Sequence, residues 1–264
     1  MAKNIDYLTH IRVESTRFVD VLRDAPPDAQ VPTCPDWRAD DLLWHLGEVQ
    51  WFWATIVREA LTDPSRLEHP ERPTDRAGLL DFFESATMAL QKTLTDTAPD
   101  EIRWTWSKEQ TAGFTRRRQA HEALIHRIDA ELTAGVERAV MDPVLCGDGV
   151  DEVLRVMFGG TPDFGHKEPE PGATLRISTS DTGQSWLMSL GRFTGTDPAG
   201  ASHDEPDIVV ADEDSSEETA VTVNGTAADL DCWLWGRPPV GSLDRSGDEQ
   251  IQARFQEVIG QGIE

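Results

Sequence analysis

Apolar residues recur at intervals of three and four through roughly the first 160 positions, and beyond them the pattern shifts to alternation. The first stripe, Ile5, Leu8, Ile11, Phe18, Val19 and Leu22, predicts a helix over about Ile5–Arg23. Pro26, Pro27, Pro32 and Pro35 then force a loop. A second helix is expected from near Trp37 to Leu61, with Asp36 as N-cap and Asp40 and Asp41 in its first turns, where carboxylates oppose the positive end of the helix dipole. Its broad face carries Leu42, His45, Leu46, Val49, Phe52, Trp53 and Ile56. A third helix is predicted over Arg76–Thr95, and a fourth over Thr115–Ala134, stopped by Gly135. Ile102–Phe114 reads as loop or short strand, with Trp104 and Trp106 alternating.

A shorter helix is expected over Gly147–Phe158. The turn-rich run Gly159–Gly172 then separates two domains, 1–160 and 172–264. In the second domain Ala173–Ser178, Ser185–Leu190, Asp207–Ala211 and Thr219–Gly225 read as strands, with helices over Ala227–Trp235 and Glu249–Ile259. The acidic run Asp212–Glu218 reads as a solvated loop. The fold class is therefore a helical N-terminal domain followed by a smaller α+β domain.

Composition narrows the function by exclusion. Lys and Arg number 24 against 48 Asp and Glu, a formal net charge of −24, which repels nucleic acid and anionic membranes. Cys34, Cys146 and Cys232 are odd in number, widely spaced and form no CxxC pair, so a disulfide framework is not expected. The N-terminus lacks the apolar run of a signal peptide, and Gln50 and Arg58 interrupt the most apolar stretch, so a cytoplasmic location is the expectation. No phosphate loop or dinucleotide fingerprint occurs.

Candidate chemistry lies in two segments. One is Val31-Pro-Thr-Cys-Pro-Asp-Trp37 leading into Asp41-Leu-Leu-Trp-His45; the other is His121-Glu-Ala-Leu-Ile-His126-Arg-Ile-Asp129. Residues i and i+4 of a helix project from one face, so Glu122 and His126 can reach one ion, with Asp129 on the same side a turn later. On a helical wheel His121, Leu124, Ile125, Ile128 and Leu132 form the apolar arc. Glu122 and His126 flank it on one side, Arg127 and Glu131 on the other. Spacing alone has a plainer reading, because a Glu–His pair four apart on a helix is commonly a weak ion pair. His45 alone reads equally as a core histidine, and spacing leaves open which of His121 and His126 faces inward. Cys34 suggests a nucleophile but fits better as a small residue at a loop–helix junction. Trp104, Thr105 and Trp106 are read as packing against the bundle rather than lining a cleft. Arg116-Arg-Arg118 is either a greeting patch for an anionic substrate or a solvated helix start.

These segments, with Val223-Asn-Gly-Thr-Ala-Ala-Asp-Leu-Asp-Cys-Trp-Leu-Trp-Gly-Arg237, resemble the mycothiol-dependent maleylpyruvate isomerase family across nearly the whole chain. The resemblance implies a DinB-like four-helix bundle and a C-terminal domain related to sterol carrier proteins. It implies zinc, or another divalent metal, on His45, Glu122 and His126, and a contribution to the active site from Arg237. Asp129 matches the family's aspartate, and support of a ligating histidine is the role expected for it. The implied cosubstrate is mycothiol, whose thiolate adds to the double bond of a cis-dienoate acid; rotation and elimination then give the trans isomer. Arg237 would pair with a substrate carboxylate. An S-transferase would stop after addition or displacement. The partners expected are a small anionic electrophile and a low-molecular-weight thiol, in a monomer or small homo-oligomer. Two other classes stay open: a non-catalytic ligand-binding protein with a structural metal, and a hydrolase whose metal activates water.

Overall fold

Three of the four long helices of the N-terminal part start on a side chain that accepts from a free N–H group. In the computed structural model, which describes residues 5–211 and 218–261, Asp6 caps α1 (Tyr7–Asp24) through the N–H of Thr9. Asp75 caps α3 (Arg76–Asp96) through Gly78, and Thr111 caps α4 (Ala112–Ala134) through Phe114. Gly135, at φ 65°, takes the left-handed position that ends α4. Helix α2 (Ala39–Glu59) starts differently from expectation, because Asp36 lies outside it. The N-cap is Arg38, whose N–H donates to Asp41 Oδ2 at 2.8 Å. The predicted start of α4 at Thr115 moves to Ala112, since the Thr111 hydroxyl satisfies the first turn.

The chain forms two compact units, Met1–Val140 and Met141–Glu264. The division precedes the Gly159–Gly172 run where the sequence places it. The physical reason is that α5 (Pro143–Glu152) and the π-helical turn Val153–Phe158 supply Val150, Val153, Leu154 and Phe158 to the core of the sheet-bearing unit.

In the first unit four helices bury Phe18, Leu22, Leu42, Leu43, Leu46, Phe83 and Ala130 together. Gly47 lets α2 and α3 approach, since a Cβ there would meet the Phe82 ring at 3.2 Å. Gln50, fully buried, donates to Ser15 Oγ at 2.8 Å and accepts from Thr87 Oγ1 at 2.6 Å, tying α2 to α1 and α3. Arg127 is also buried; it donates to Glu14 at 2.8 Å and to Glu131 at 2.7 Å, while Arg17 reaches Glu131 at 2.9 Å. The Arg127/Glu131 flank of α4 is thus covered by α1 rather than by solvent.

The second unit is an α+β layer. Strands β1 (Gly165–Thr179), β2 (Ser185–Thr196), β3 (Ser202–Val210), β4 (Val221–Gly225) and β5 (Asp244–Gly247) form one sheet in the order β3-β2-β1-β4-β5. The pair β1–β4 is parallel and the others are antiparallel. Helices α6 (Ala227–Leu234) and α7 (Glu249–Ile259) add Leu230, Trp233, Phe255 and Val258 to the sheet's core. The outer end of β1 lies within the stretch expected as linker, because its residues are exposed and polar and carry no apolar alternation. A register shift between Pro169 and Thr174 accommodates Pro169-Glu-Pro-Gly172. The solvated-loop reading of the acidic run cannot be followed, since its residues 212–217 lie outside the described residues.

Candidate metal centre

The loop before α2 is held by its own backbone and by the Gln30 side chain. Val31 N–H donates to Trp37 O at 3.1 Å, Trp37 N–H to Cys34 O at 2.9 Å, and Gln30 Nε2 to the carbonyls of Pro35 and Trp37. Thr33 leaves that loop to donate its hydroxyl to Asp129 Oδ1 at 2.5 Å, which fixes the loop against α4. The two sequence segments singled out for chemistry therefore meet in space.

Where they meet, His45 from α2 and Glu122 and His126 from α4 present donor atoms within 4.8 Å of one another. Glu122 Oε1 lies 3.1 Å from His126 Nε2 and 3.6 Å from His45 Nε2. The two imidazoles meet edge to face, with ring centroids 4.9 Å apart. Trp37 packs over both, 4.5 Å from His45 and 6.2 Å from His126 by ring centroids. The cluster is graded in exposure, from His45 at 31% through Glu122 at 19% to His126 at 9%, so solvent or a small molecule reaches it from the α2 side.

A second layer orients the donors. Asp129, fully buried, lies 2.9 Å from His126 Nδ1, which leaves Nε2 facing the cluster. Arg118, also buried, donates to Glu122 Oε2 at 3.1 Å and leaves Oε1 to the histidines. Burial pushes the Glu122 carboxyl up, but hydrogen bonds from His126 and His45 and the charge of Arg118 outweigh it and hold it well below the usual range. Burial likewise pushes His126 down, yet the hydrogen bonds and charges of Asp129 and Glu122 raise it to about 9. The pairing of His126 with Glu122 contributes to both shifts.

Two imidazole nitrogens and one carboxylate oxygen, with a carboxylate behind one imidazole, are a donor set that suits zinc and related divalent ions. Three protein donors leave a coordination position open. The residues present fit such an ion.

The other expected residues fall in different places. His121 is fully buried with its ring 6.3 Å from Tyr7, and His126 is the histidine that joins the cluster. Cys34 is half-buried and is not among the converging donors. Of the basic run, Arg116 is spent on the carbonyls of Leu94 and Thr97, and Arg118 on Glu122, so neither is a solvated greeting patch. Arg237 lies in the second unit, just after α6, half-buried, with Nη1 donating to Trp235 O at 2.6 Å. Sequence reasoning missed Thr33 and Arg118 as supports. Arg118 stands four residues before Glu122, so helical spacing carries a signal for it. Thr33 has no local signal.

Residues 8–131 match the family model described as the mycothiol maleylpyruvate isomerase N-terminal domain, and residues 145–253 match the MDMPI C-terminal domain. Similar solved structures include a mycothiol-dependent maleylpyruvate isomerase at 14% identity and TM-score 0.57, covering 92% of this chain and 93% of the other. A histidine-to-alanine variant of a protein with that name aligns at TM-score 0.59, with the same identity and coverage. At this identity the likeness concerns the fold. No curated protein matches the chain.

Proposed function

We propose that this chain, which belongs to the mycothiol maleylpyruvate isomerase family, holds a divalent ion, zinc foremost, on His45, Glu122 and His126 and uses it with a low-molecular-weight thiol to isomerise or thiolate a small electrophile. The observation that carries the reading is the convergence of two imidazoles and one carboxylate at a partly buried position of the bundle. His45, Glu122 and His126 would hold such an ion, and the chemistry supplied there would be a lowered pKa for a thiol or water in its open position.

The chain's own residues do the rest. Asp129, 2.9 Å from His126 Nδ1, would hold a proton there and leave Nε2 to an ion. Arg118 fixes the orientation of Glu122 through Oε2. Trp37 packs against one side of both imidazoles. Arg237 is the residue we propose to pair with a substrate carboxylate, because its planar fork matches that group. Mycothiol is the thiol and maleylpyruvate the substrate that the family's name suggests.

Elemental analysis of the wild type, His45→Ala and His126→Ala tests the metal site. Near-stoichiometric zinc that both substitutions abolish is the expected result. Zinc absent from the wild type after incubation with the metal, or retained by both variants, overturns the reading. Turnover of a cis-dienoate acid, followed by its ultraviolet absorbance with and without thiol, then separates the thiol chemistry from hydrolysis. Arg237→Ala is expected to raise KM for an anionic substrate.

A further inference from the structure

The connection from α2 to α3 runs along the face of α2 that carries His45, and little but side-chain polar contacts holds it there. From Arg58 to Gly78 no residue is buried. Among the described residues no backbone hydrogen bond leaves residues 62–74 for another element; the N–H groups of Arg66 and Leu67 close only the 3-10 turn Pro64–Arg66. Both ends of the segment are fixed. Ala60, at φ 48°, ends α2 in the left-handed conformation, and Arg76 donates to Asp40 and to the carbonyls of Leu22 and Ala25. Between these ends two side chains reach α2. His69 Nδ1 lies 2.5 Å from Glu48 Oε1, and Arg72 Nη1 lies 2.7 Å from Asp41 Oδ1. The His69 ring also rests near Trp51 and Phe52, with centroids 5.8 and 6.3 Å away. Asp41 stands four residues before His45 and Glu48 three after it, on one helix face, so the two contacts bracket the histidine. Asp41, His45, Glu48 and Arg72 all line one open cleft of about 420 Å³.

We propose that residues 61–75 form a strap along the His45 side of α2, clasped by Glu48–His69 and Asp41–Arg72, whose release opens the way to His45 for small molecules. Segments with few buried contacts and few backbone bonds open at the lowest cost in a fold. Exposed ion pairs are weak, each worth roughly 1.4- to 5-fold in an equilibrium constant. Two such clasps bias the strap toward closure by about 2- to 25-fold, and an entering molecule can reverse a bias of that size. The fixed ends at Ala60 and Arg76 confine the motion to the segment between them, so the helices need not move. The strap adds a gate to the metal reading above without drawing on the ion, so either can fail alone.

The test uses the full chain after dialysis against a chelator, so that no ion shields His45. Two rates are read by mass spectrometry at fixed pH. One is carbethoxylation of His45 by diethyl pyrocarbonate. The other is cleavage of the Arg66–Leu67 bond by dilute trypsin, which tracks the population of the open strap. His69→Gln combined with Arg72→Gln removes both clasps from the strap side and leaves α2 untouched. Both rates are expected to rise together, by about 2- to 25-fold. In the wild type, about 1 M sodium chloride shortens the screening length to about 3 Å and should raise both rates in the same direction, whereas the double variant should not respond. The wild-type salt response needs no substitution, and it keeps the test available where the double variant fails to fold. Either rate changing by less than about twofold on loss of the clasps overturns the proposal. Faster cleavage with His45 labelling unchanged is the sharpest such result, since it would leave a loose loop that gates nothing.

Discussion

Replacing Asp129 separates a histidine that is merely near the cluster from one that is held for metal binding. Asp129 is fully buried, and its carboxylate is shared between Thr33 Oγ1 at 2.5 Å and His126 Nδ1 at 2.9 Å. Asn at this position keeps much of that geometry: its amide oxygen can accept from His126 while its NH2 donates to Thr33, whose hydroxyl rotates to suit. What it removes is the charge that makes the imidazole a better donor. Ala removes both the charge and the orientation. Substitution behind a metal-bound histidine costs about 10- to 100-fold in metal affinity. Asp129→Asn is therefore expected near the lower end, about 1.4 kcal/mol, and Asp129→Ala near the upper, about 2.8 kcal/mol. Competition with a chromophoric chelator measures zinc affinity directly, and circular dichroism of the metal-free variants confirms that they are folded. Folded variants that bind zinc within about threefold of the wild type would refute the reasoning.

Two further outcomes follow from the same structure. Arg127→Met leaves Glu14 and Glu131 buried without their guanidinium, and should cost about 3–5 kcal/mol in urea unfolding. Adding Glu14→Leu and Glu131→Leu should recover most of that loss, because Arg17 is 42% exposed and can turn to water; a loss below about 1 kcal/mol for the single variant would sink the argument. Chelation of bound zinc should lower the stability of the first unit by about 2.7 kcal/mol relative to protein with free metal at a hundred times its Kd, seen as a shift in the unfolding midpoint. The His45→Ala variant should show no such shift.

The parts of this protein that could be read from its sequence are those written in local spacing. The apolar stripes of α1, α2, α3 and α7 place those helices within a few residues of where they lie, and α7 matches over Glu249–Ile259. The strands that could be read are the half-buried ones. β5, Asp244–Gly247, is exposed at every position and offers no alternation to find. The outer ends of β1 and β3 are missed for the same reason. On α4 the limit is sharper. The pair Arg127 and Glu131 has the i,i+4 spacing of a surface ion pair, yet both are buried, because Glu14 and Arg17 of α1 complete the network from more than a hundred residues away. The metal donors show the same division. Glu122 and His126 could be paired from helical spacing, whereas the addition of His45 came from the family's motif. The contact between Thr33 and Asp129 joins a loop to a helix 96 residues later. Residue types and spacing name candidate ligands, but their orientation depends on contacts that exist only once the bundle has closed. Substitutions at Asp129 and Thr33 are accordingly the ones that can separate the presence of the donors from their preorganisation.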